Sequence, residues 1–256
     1  MGYFKMTLER FFEENPAGGL ALSGGVDSSF LAWAAGRYGQ NWRAYYVRSA
    51  FQPAFELADA QAVSEFSGVP LTVIEADILS HEQVAANPKN RCYFCKRVVF
   101  SQILERAAAD GFSLVIDGTN ASDNADDRPG MRALRELSVR SPLRECGLTK
   151  ADVRECSRKA GLFTWDKPSY ACLATRIPAG TKIEKEALQK VEQGERLVAS
   201  LGFSGFRLRL RGELALLQFP GDQLVGAFAR RQELQQLLEP LFSVVSIDLK
   251  PRERAG

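Results

Sequence analysis

Two groups of residues in this chain have the types and spacing to do chemistry. The first is Ser23-Gly24-Gly25-Val26-Asp27-Ser28, which follows the apolar run Gly19-Leu20-Ala21-Leu22 and opens directly onto the helix-period stretch Ser29-Phe30-Leu31-Ala32-Trp33. Glycines let a backbone approach an anion closely, and the first N–H groups of a helix point at it. Ser23 and Ser28 add hydroxyl donors for phosphate oxygens. Asp27 would repel a bare phosphate, so its expected work is to hold Mg²⁺ already bound to that phosphate. The Gly-Lys-Ser/Thr ending of a Walker loop is absent, and so are the three spaced glycines of a dinucleotide fingerprint. A capped strand-to-helix turn would need only the Gly-Gly pair; here strand, glycines, acid, serines and helix coincide.

The second group is sulfur. Arg91-Cys92-Tyr93-Phe94-Cys95-Lys96 is a C-x-x-C placed just ahead of a predicted helix, flanked by Arg91, Lys96 and Arg97. A helix start and neighbouring cations both favour thiolate chemistry. Cys172 lies in an irregular stretch close to Arg176. Cys156 falls inside a helix-period stretch and Cys146 in a loop before it, so both read as small structural hydrophobes. Cys92, Cys95 and Cys172 are compatible with three chemistries. A zinc site would want a fourth ligand, for which His81, Cys146 or an acid is available. A redox dithiol would want a different fold context. A 4Fe–4S cluster on three cysteines would leave one iron open to an external sulfide.

The elements that must position these groups follow from periodicity. Apolar runs predict strands at 19–23, 43–48, 71–76 and 114–117, with helices near 27–38, 55–67, 96–110 and 150–160. Such alternation predicts an α/β fold, a parallel sheet with helices on both faces. Functional residues then collect at the carboxyl ends of the strands. Residues 1–165 are expected to form this nucleotide domain, and 166–180 an irregular connection that bears Cys172. Residues 181–256 are expected to form a small α+β domain for substrate binding and oligomerisation, with a helix at 184–201, strands at 205–211 and 213–219, a helix at 223–238 and a strand at 243–249. A tight turn at Arg211-Gly212 joins the first two of those strands.

Composition sets the outer limits. The 256 residues carry a formal charge of +2 with 25% charged and 45% hydrophobic residues, an ordinary globular balance that does not point to wholesale nucleic-acid binding. No run approaches the roughly 20 apolar residues of a membrane span. The acidic N-terminal stretch lacks the apolar core of a signal peptide. Five cysteines are an odd number for a secreted disulfide framework, so a cytoplasmic location is expected.

The narrower motifs make a pattern. Ser-Gly-Gly-Val-Asp-Ser resembles the PP-loop superfamily, whose members grip the pyrophosphate end of ATP while the substrate attacks the α-phosphorus. It is joined, in order, by Asn87-Pro-Lys-Asn-Arg-Cys-Tyr-Phe-Cys-Lys96, Asp117-Gly-Thr-Asn120, Asp126-Asp-Arg-Pro-Gly130, Ser141-Pro-Leu143 and Lys167-Pro-Ser169 through Arg176. Together these resemble the LarE family of ATP-dependent sulfur transferases. That resemblance implies adenylation of a carboxylate of pyridinium-3,5-dicarboxylate mononucleotide, then insertion of sulfur to give a thiocarboxylate on the way to the nickel-pincer nucleotide. It implies ATP and Mg²⁺ at Ser23, Gly24, Gly25, Asp27, Ser28, Gly118 and Thr119. Some members sacrifice a single cysteine at the position of Cys172; others hold a 4Fe–4S cluster with three cysteines, and Cys92, Cys95 and Cys172 match the second kind. A sulfide donor and a trimeric or hexameric assembly are implied as partners. Arg207 and Arg209, two apart on a strand and so on one face, would clamp a substrate phosphate. Arg176, beside Cys172, would contact substrate or AMP phosphate, and Glu195, on the preceding helix, would correspond to a family carboxylate near the sulfur-donor cysteine. Family members carry a glutamate soon after the arginine strand, where this chain has Gln218, a departure that weakens the case for nickel binding.

Other readings are kept open by the residues. A tRNA-thiolating PP-loop enzyme would expect a broad basic face, and a non-catalytic nucleotide or redox sensor would expect a degenerate loop, whereas Asp27 and its serines are intact.

Overall fold

The computed structural model describes residues 7–123 and 129–253. Asp126, Asp127 and Arg128 of the expected motif lie outside the described residues. The chain divides into two compact units. The first takes in residues up to 49, 54–78 and 90–167; the second takes in 50–53, 79–89 and 168 onward.

In the first unit, α1 (Leu8–Glu14) leads into β1 (Ala17–Ala21), α2 (Val26–Tyr38), β2 (Asn41–Arg48), α3 (Ala54–Ser67) and β3 (Leu71–Glu75). After α4 (Glu82–Ala85), which belongs to the second unit, come α5 (Arg91–Ala109), β4 (Val115–Ile116), α6 (Pro129–Glu136), α7 (Pro142–Glu145) and α8 (Lys150–Lys159). The four strands form one parallel sheet in the order β3-β2-β1-β4. Side chains alternate between its faces. Ala44 and Tyr46 of β2 pack with Phe11, Phe12, Leu20 and Leu31, while Tyr45 and Val47 pack with Phe100, Ile103, Met131 and Leu134. Both faces are therefore covered, as the α/β pattern requires. The order reverses between β1 and β4. In such a sheet the crevice at that switch point receives ligands.

The elements depart from expectation in instructive places. The first strand stops two residues early, because the Ser23 N–H bonds to Ser28 Oγ at 3.1 Å instead of a neighbouring strand. The CxxC lies inside α5, not ahead of it. The helix opens at Arg91, and Tyr93 N–H already bonds to the Asn90 carbonyl at 2.9 Å. The helices α6 and α7 were not anticipated; their apolar residues Met131, Leu134 and Leu143 close the two cores. Helix α8 is capped by a reciprocal box between Thr149 and Asp152.

In the second unit, α9 (Lys185–Ser200) is followed by β5 (Arg207–Arg211), β6 (Leu214–Gln218), α10 (Gly221–Ala229), α11 (Arg231–Leu238) and β7 (Val244–Ile247). The sheet order is β5-β6-β7, with β5–β6 antiparallel and β6–β7 parallel. Arg211 pairs with Leu214, so the turn residues are Gly212-Glu213, one place later than expected. The single helix expected at 223–238 is two, parted at Arg230. Among the described residues no helix is long and apolar enough to cross a membrane.

Candidate functional site

The glycine turn after β1 and the loop after β4 meet in the first unit. Gly24 holds φ +74°, a left-handed value, and a Cβ there would come within 2.9 Å of Asp59 Cβ and the Glu56 carbonyl. Helix α2 begins with Gly25 as N-cap and has no side-chain cap, leaving its first N–H groups for another partner. Ser28 Oγ lies 3.0 Å from Ser23 Oγ and donates to the Gly25 carbonyl at 3.1 Å, which pins the turn. From the β4 side, Gly118 presses on the same helix start: its absent Cβ would sit 2.8 Å from Ser28 N. Gly118→Ala should therefore push α2 off its seat, at a cost of about 1–3 kcal/mol for overpacking against rigid backbone. Thermal melting checks the stability loss, and unchanged stability would mean the loop yields instead.

The Asp117 carboxylate organises that second loop. It accepts from Thr119 Oγ1 at 2.5 Å, Thr119 N–H at 3.3 Å and Ser141 Oγ at 2.6 Å. Thr119 thus commits both its hydroxyl and its backbone N–H to Asp117. Asp27, on the first turn of α2, is held on both oxygens: Lys150 Nζ lies 2.6 Å from Oδ2, and Asn120 Nδ2 donates to Oδ1 at 3.2 Å. Lys167 reaches the turn as well, donating to the Gly24 carbonyl at 3.2 Å and pairing with Asp59. Neither lysine was picked out as a site residue from sequence. Lys150 was visible only as a helix start, and Lys167 only as part of a motif. The donors here, an uncapped helix start with two serines, an acid and two cations, fit a magnesium-bearing polyphosphate.

The cysteines divide by role. Cys146 is buried in the core beside Phe12 and Leu31, and Cys156 packs against the same cluster. Cys92 is exposed and Cys95 half-buried; standing at i and i+3 on α5 they face the same side, with the Arg91 guanidinium 4.0 Å from Cys92 Sγ. Both belong to the first unit, and Cys172 to the second. Cys172 is half-buried and caps the short 3₁₀ turn Leu173–Arg176. Its carbonyl accepts from Thr175 Oγ1 at 2.9 Å and Arg176 Nη1 at 3.3 Å. Among the described residues, no three His, Cys, Asp or Glu side chains gather so as to hold a metal ion. By donor chemistry, three thiols suit an iron–sulfur cluster or zinc equally.

The second unit concentrates arginine around one carboxylate. Arg176 is fully buried and pairs with Glu195 through Nε at 2.8 Å and Nη2 at 3.0 Å. Glu195 also accepts from Tyr170 Oη at 2.5 Å and Leu208 N–H at 3.0 Å. Its lone pairs are filled from within the unit, so here Glu195 orients Arg176 and Tyr170. Burial opposes the Arg176 charge, but the bonds and attraction of Glu195 outweigh it and raise its pKa. Burial and then the Glu195 charge push the Tyr170 phenol upward.

Arg207 has no such partner. It lies 5.1 Å over the Tyr170 ring and donates to the carbonyls of Phe206 and Ser169, each at 2.9 Å. Burial, and then repulsion from Arg176 and Arg252, push its pKa down to about 10. Arg209 donates to the Thr175 carbonyl at 2.9 Å and to Gln218 Oε1 at 2.5 Å, and Gln218 passes its amide to Asp248 at 2.7 Å. Arg252, unnoticed in sequence, donates to the Gly205 carbonyl at 2.6 Å. Burial, then Arg176, depress both Arg209 and Arg252. Arg176 and Arg207 are buried and Arg209 and Arg252 half-buried, a concentration of positive charge of the kind that favours an anion.

The sheet order, the glycine turn at its switch point and the covering helices define an α/β domain of the PP-loop class. No family model matches the chain. It is 37% identical over 249 residues to an uncharacterized protein of Synechocystis sp., covering 95% of this chain and 92% of that one. It is 31% identical over 238 residues to the pyridinium-3,5-bisthiocarboxylic acid mononucleotide synthase of Lactiplantibacillus plantarum, covering 90% and 84%. It is also similar, at 23% identity over 248 residues, to a tRNA-specific 2-thiouridylase of Pseudothermotoga lettingae, covering 82% and 70%. The chain belongs to the LarE family of PP-loop sulfur transferases.

Proposed function

We propose that this chain uses ATP to adenylate a carboxylate of pyridinium-3,5-dicarboxylic acid mononucleotide and replaces the activated oxygen by sulfur, in nickel-pincer nucleotide synthesis. The observation that carries the ATP half is the meeting of the Gly24 turn and the Gly118 loop over the uncapped start of α2. Those N–H groups, with Ser23 and Ser28, bind the pyrophosphate end. A substrate carboxylate oxygen attacks the α-phosphorus, the bond to the bridging oxygen breaks, and pyrophosphate leaves with the electron pair. Mg²⁺, when bound, is held by Asp27 and offsets charge on the departing pyrophosphate. Asp27 would have to give up Lys150 to hold the metal, which would leave that ammonium available to a phosphate. Sulfide sulfur adds to the acyl carbon of the adenylate and AMP departs.

Cys92, Cys95 and Cys172 are the residues that would hold a 4Fe–4S cluster, which supplies a site for the extra sulfide. The second unit binds the mononucleotide, its phosphate taken by Arg207 and Arg209. Val225, Phe228 and Leu249 of that unit are exposed apolar residues that support assembly into a homo-oligomer. Five cysteines outside any disulfide suit the cytoplasm. The net charge of +2 favours a small nucleotide over tRNA as substrate.

Incubation with ATP, Mg²⁺, sulfide and the dicarboxylic mononucleotide should yield AMP, pyrophosphate and thiocarboxylate. Asp27→Asn should slow pyrophosphate release by about 10²–10³-fold, typical of losing one preorganised electrostatic contact. Formation of ADP in place of AMP would overturn the reading.

A further inference from the structure

We propose that Lys167 is a second phosphate-positioning residue, held on Asp59 until the triphosphate arrives. The inference rests on the nucleotide reading of the glycine turn and adds to it a residue, a resting partner and a direction of exchange.

The geometry comes from three elements of the first unit. Lys167 Nζ pairs with Asp59 Oδ2, donates to the Gly24 carbonyl at 3.2 Å and lies 5.2 Å over the Phe55 ring. Its backbone is fixed: its N–H bonds to the Thr164 carbonyl at 3.1 Å, and its carbonyl accepts from Arg154 Nη2 at 3.0 Å. Asp59 stands equally close, since a Cβ on Gly24 would meet Asp59 Cβ at 2.9 Å. The pair is neither buried nor loose, with side-chain exposures of 22% and 23%.

A carboxylate against a phosphate-binding turn is otherwise a liability, because like charges repel an incoming triphosphate. Lys167 cancels that charge while the turn is empty. An ammonium has three donors and no acceptor. Two of them are used here, so the third is available to a phosphate oxygen at the turn. Once phosphate is present, the dianionic end competes with Asp59 for the same ammonium. The flexible stem lets the lysine swing between them without moving its Cα. Lys167 contacts the phosphate chain; Asp59 acts only through Lys167.

This predicts opposite signs for two neighbouring substitutions. Calorimetric titration of the full chain with α,β-methylene-ATP and Mg²⁺ reads them. Lys167→Met should weaken binding by about 30-fold, as for loss of one charge-assisted bond, with Lys167→Arg recovering part of the loss. Asp59→Asn should bind the analogue as tightly or up to about tenfold tighter, since the lysine is released from its competitor. AMP, which lacks the β and γ phosphates, should bind native and Lys167→Met protein within about threefold. A purely structural ion pair predicts otherwise: both substitutions would weaken binding, and AMP would suffer with ATP. Weaker analogue binding by Asp59→Asn overturns the proposal even if Lys167→Met fails to fold. If the native chain binds AMP and the analogue equally, or neither, the nucleotide reading of the turn fails instead.

Discussion

Cys172→Ala should abolish thiocarboxylate formation, by at least about 10³-fold, while AMP and pyrophosphate release persist within about threefold of native. The two halves of the chemistry draw on different parts of the chain. The residues proposed to bind the triphosphate, Ser23, Ser28, Asp27 and the Gly118 backbone, all belong to the first unit, and Cys172 to the second. The substitution should spare the local fold. The carbonyl of residue 172, which accepts from Thr175 and Arg176, is kept by alanine. The 3₁₀ turn that follows depends on Leu173 and Ala174, both buried. The measurement is single-turnover analysis of both products, with iron and sulfide content on anaerobically purified protein. Iron should be lost from Cys92→Ala, Cys95→Ala and Cys172→Ala alike. Undiminished sulfur transfer by Cys172→Ala would remove this residue from the reaction; iron retained only in that variant would break the three-thiol set.

Arg207→Gln should raise the KM for the mononucleotide by about 100-fold yet leave the folded chain no less stable, and the reason is electrostatic. In the native chain the Arg207 charge is opposed by burial and by Arg176 and Arg252, which bring its pKa down to about 10. A cation with a folded-state pKa below its unfolded value binds fewer protons when folded. Its charge therefore costs stability at every pH below about 10, and that cost fades as pH climbs from there towards the ordinary arginine range. At neutral pH a neutral side chain removes the cost, offset by the weakened bonds to the Phe206 and Ser169 carbonyls at about 1 kcal/mol each. A bound phosphate supplies the missing countercharge. Inorganic phosphate should accordingly raise the melting temperature of the native chain and not that of Arg207→Gln. Phosphate affinity should hold to about pH 9 and fall as pH passes 10. Equal phosphate stabilisation of both proteins would exclude Arg207 from the anion site.

Much of the architecture was legible because it is local. The alternation of apolar runs with helical stretches announces a parallel sheet, and β5 shows its arginines two apart. What escaped was often set by competition among neighbours. The first strand ends early because Ser28 Oγ captures the Ser23 N–H. The CxxC joins α5 because Arg91 and Tyr93 bury there, extending the helix past the point where its apolar period becomes visible. The break at Arg230 lies in a stretch whose helical period runs through it; there the Arg230 side chain turns back to the Leu201 carbonyl at 2.7 Å.

By itself the sequence determined the glycine bend, its acid and its serines, since a strand-to-helix turn depends on φ/ψ preferences of adjacent residues. It also contained the three-residue separation of Cys92 and Cys95, although their place on α5 came only with the structure. Only the tertiary structure decided that Lys150 covers Asp27, that Lys167 and Asp59 meet beside Gly24, and that Gly118 rests on the Ser28 backbone. Those contacts join residues far apart in the chain and exist because β1 lies between β2 and β4. Strand order is a property of the packed sheet, which no window of neighbouring residues contains.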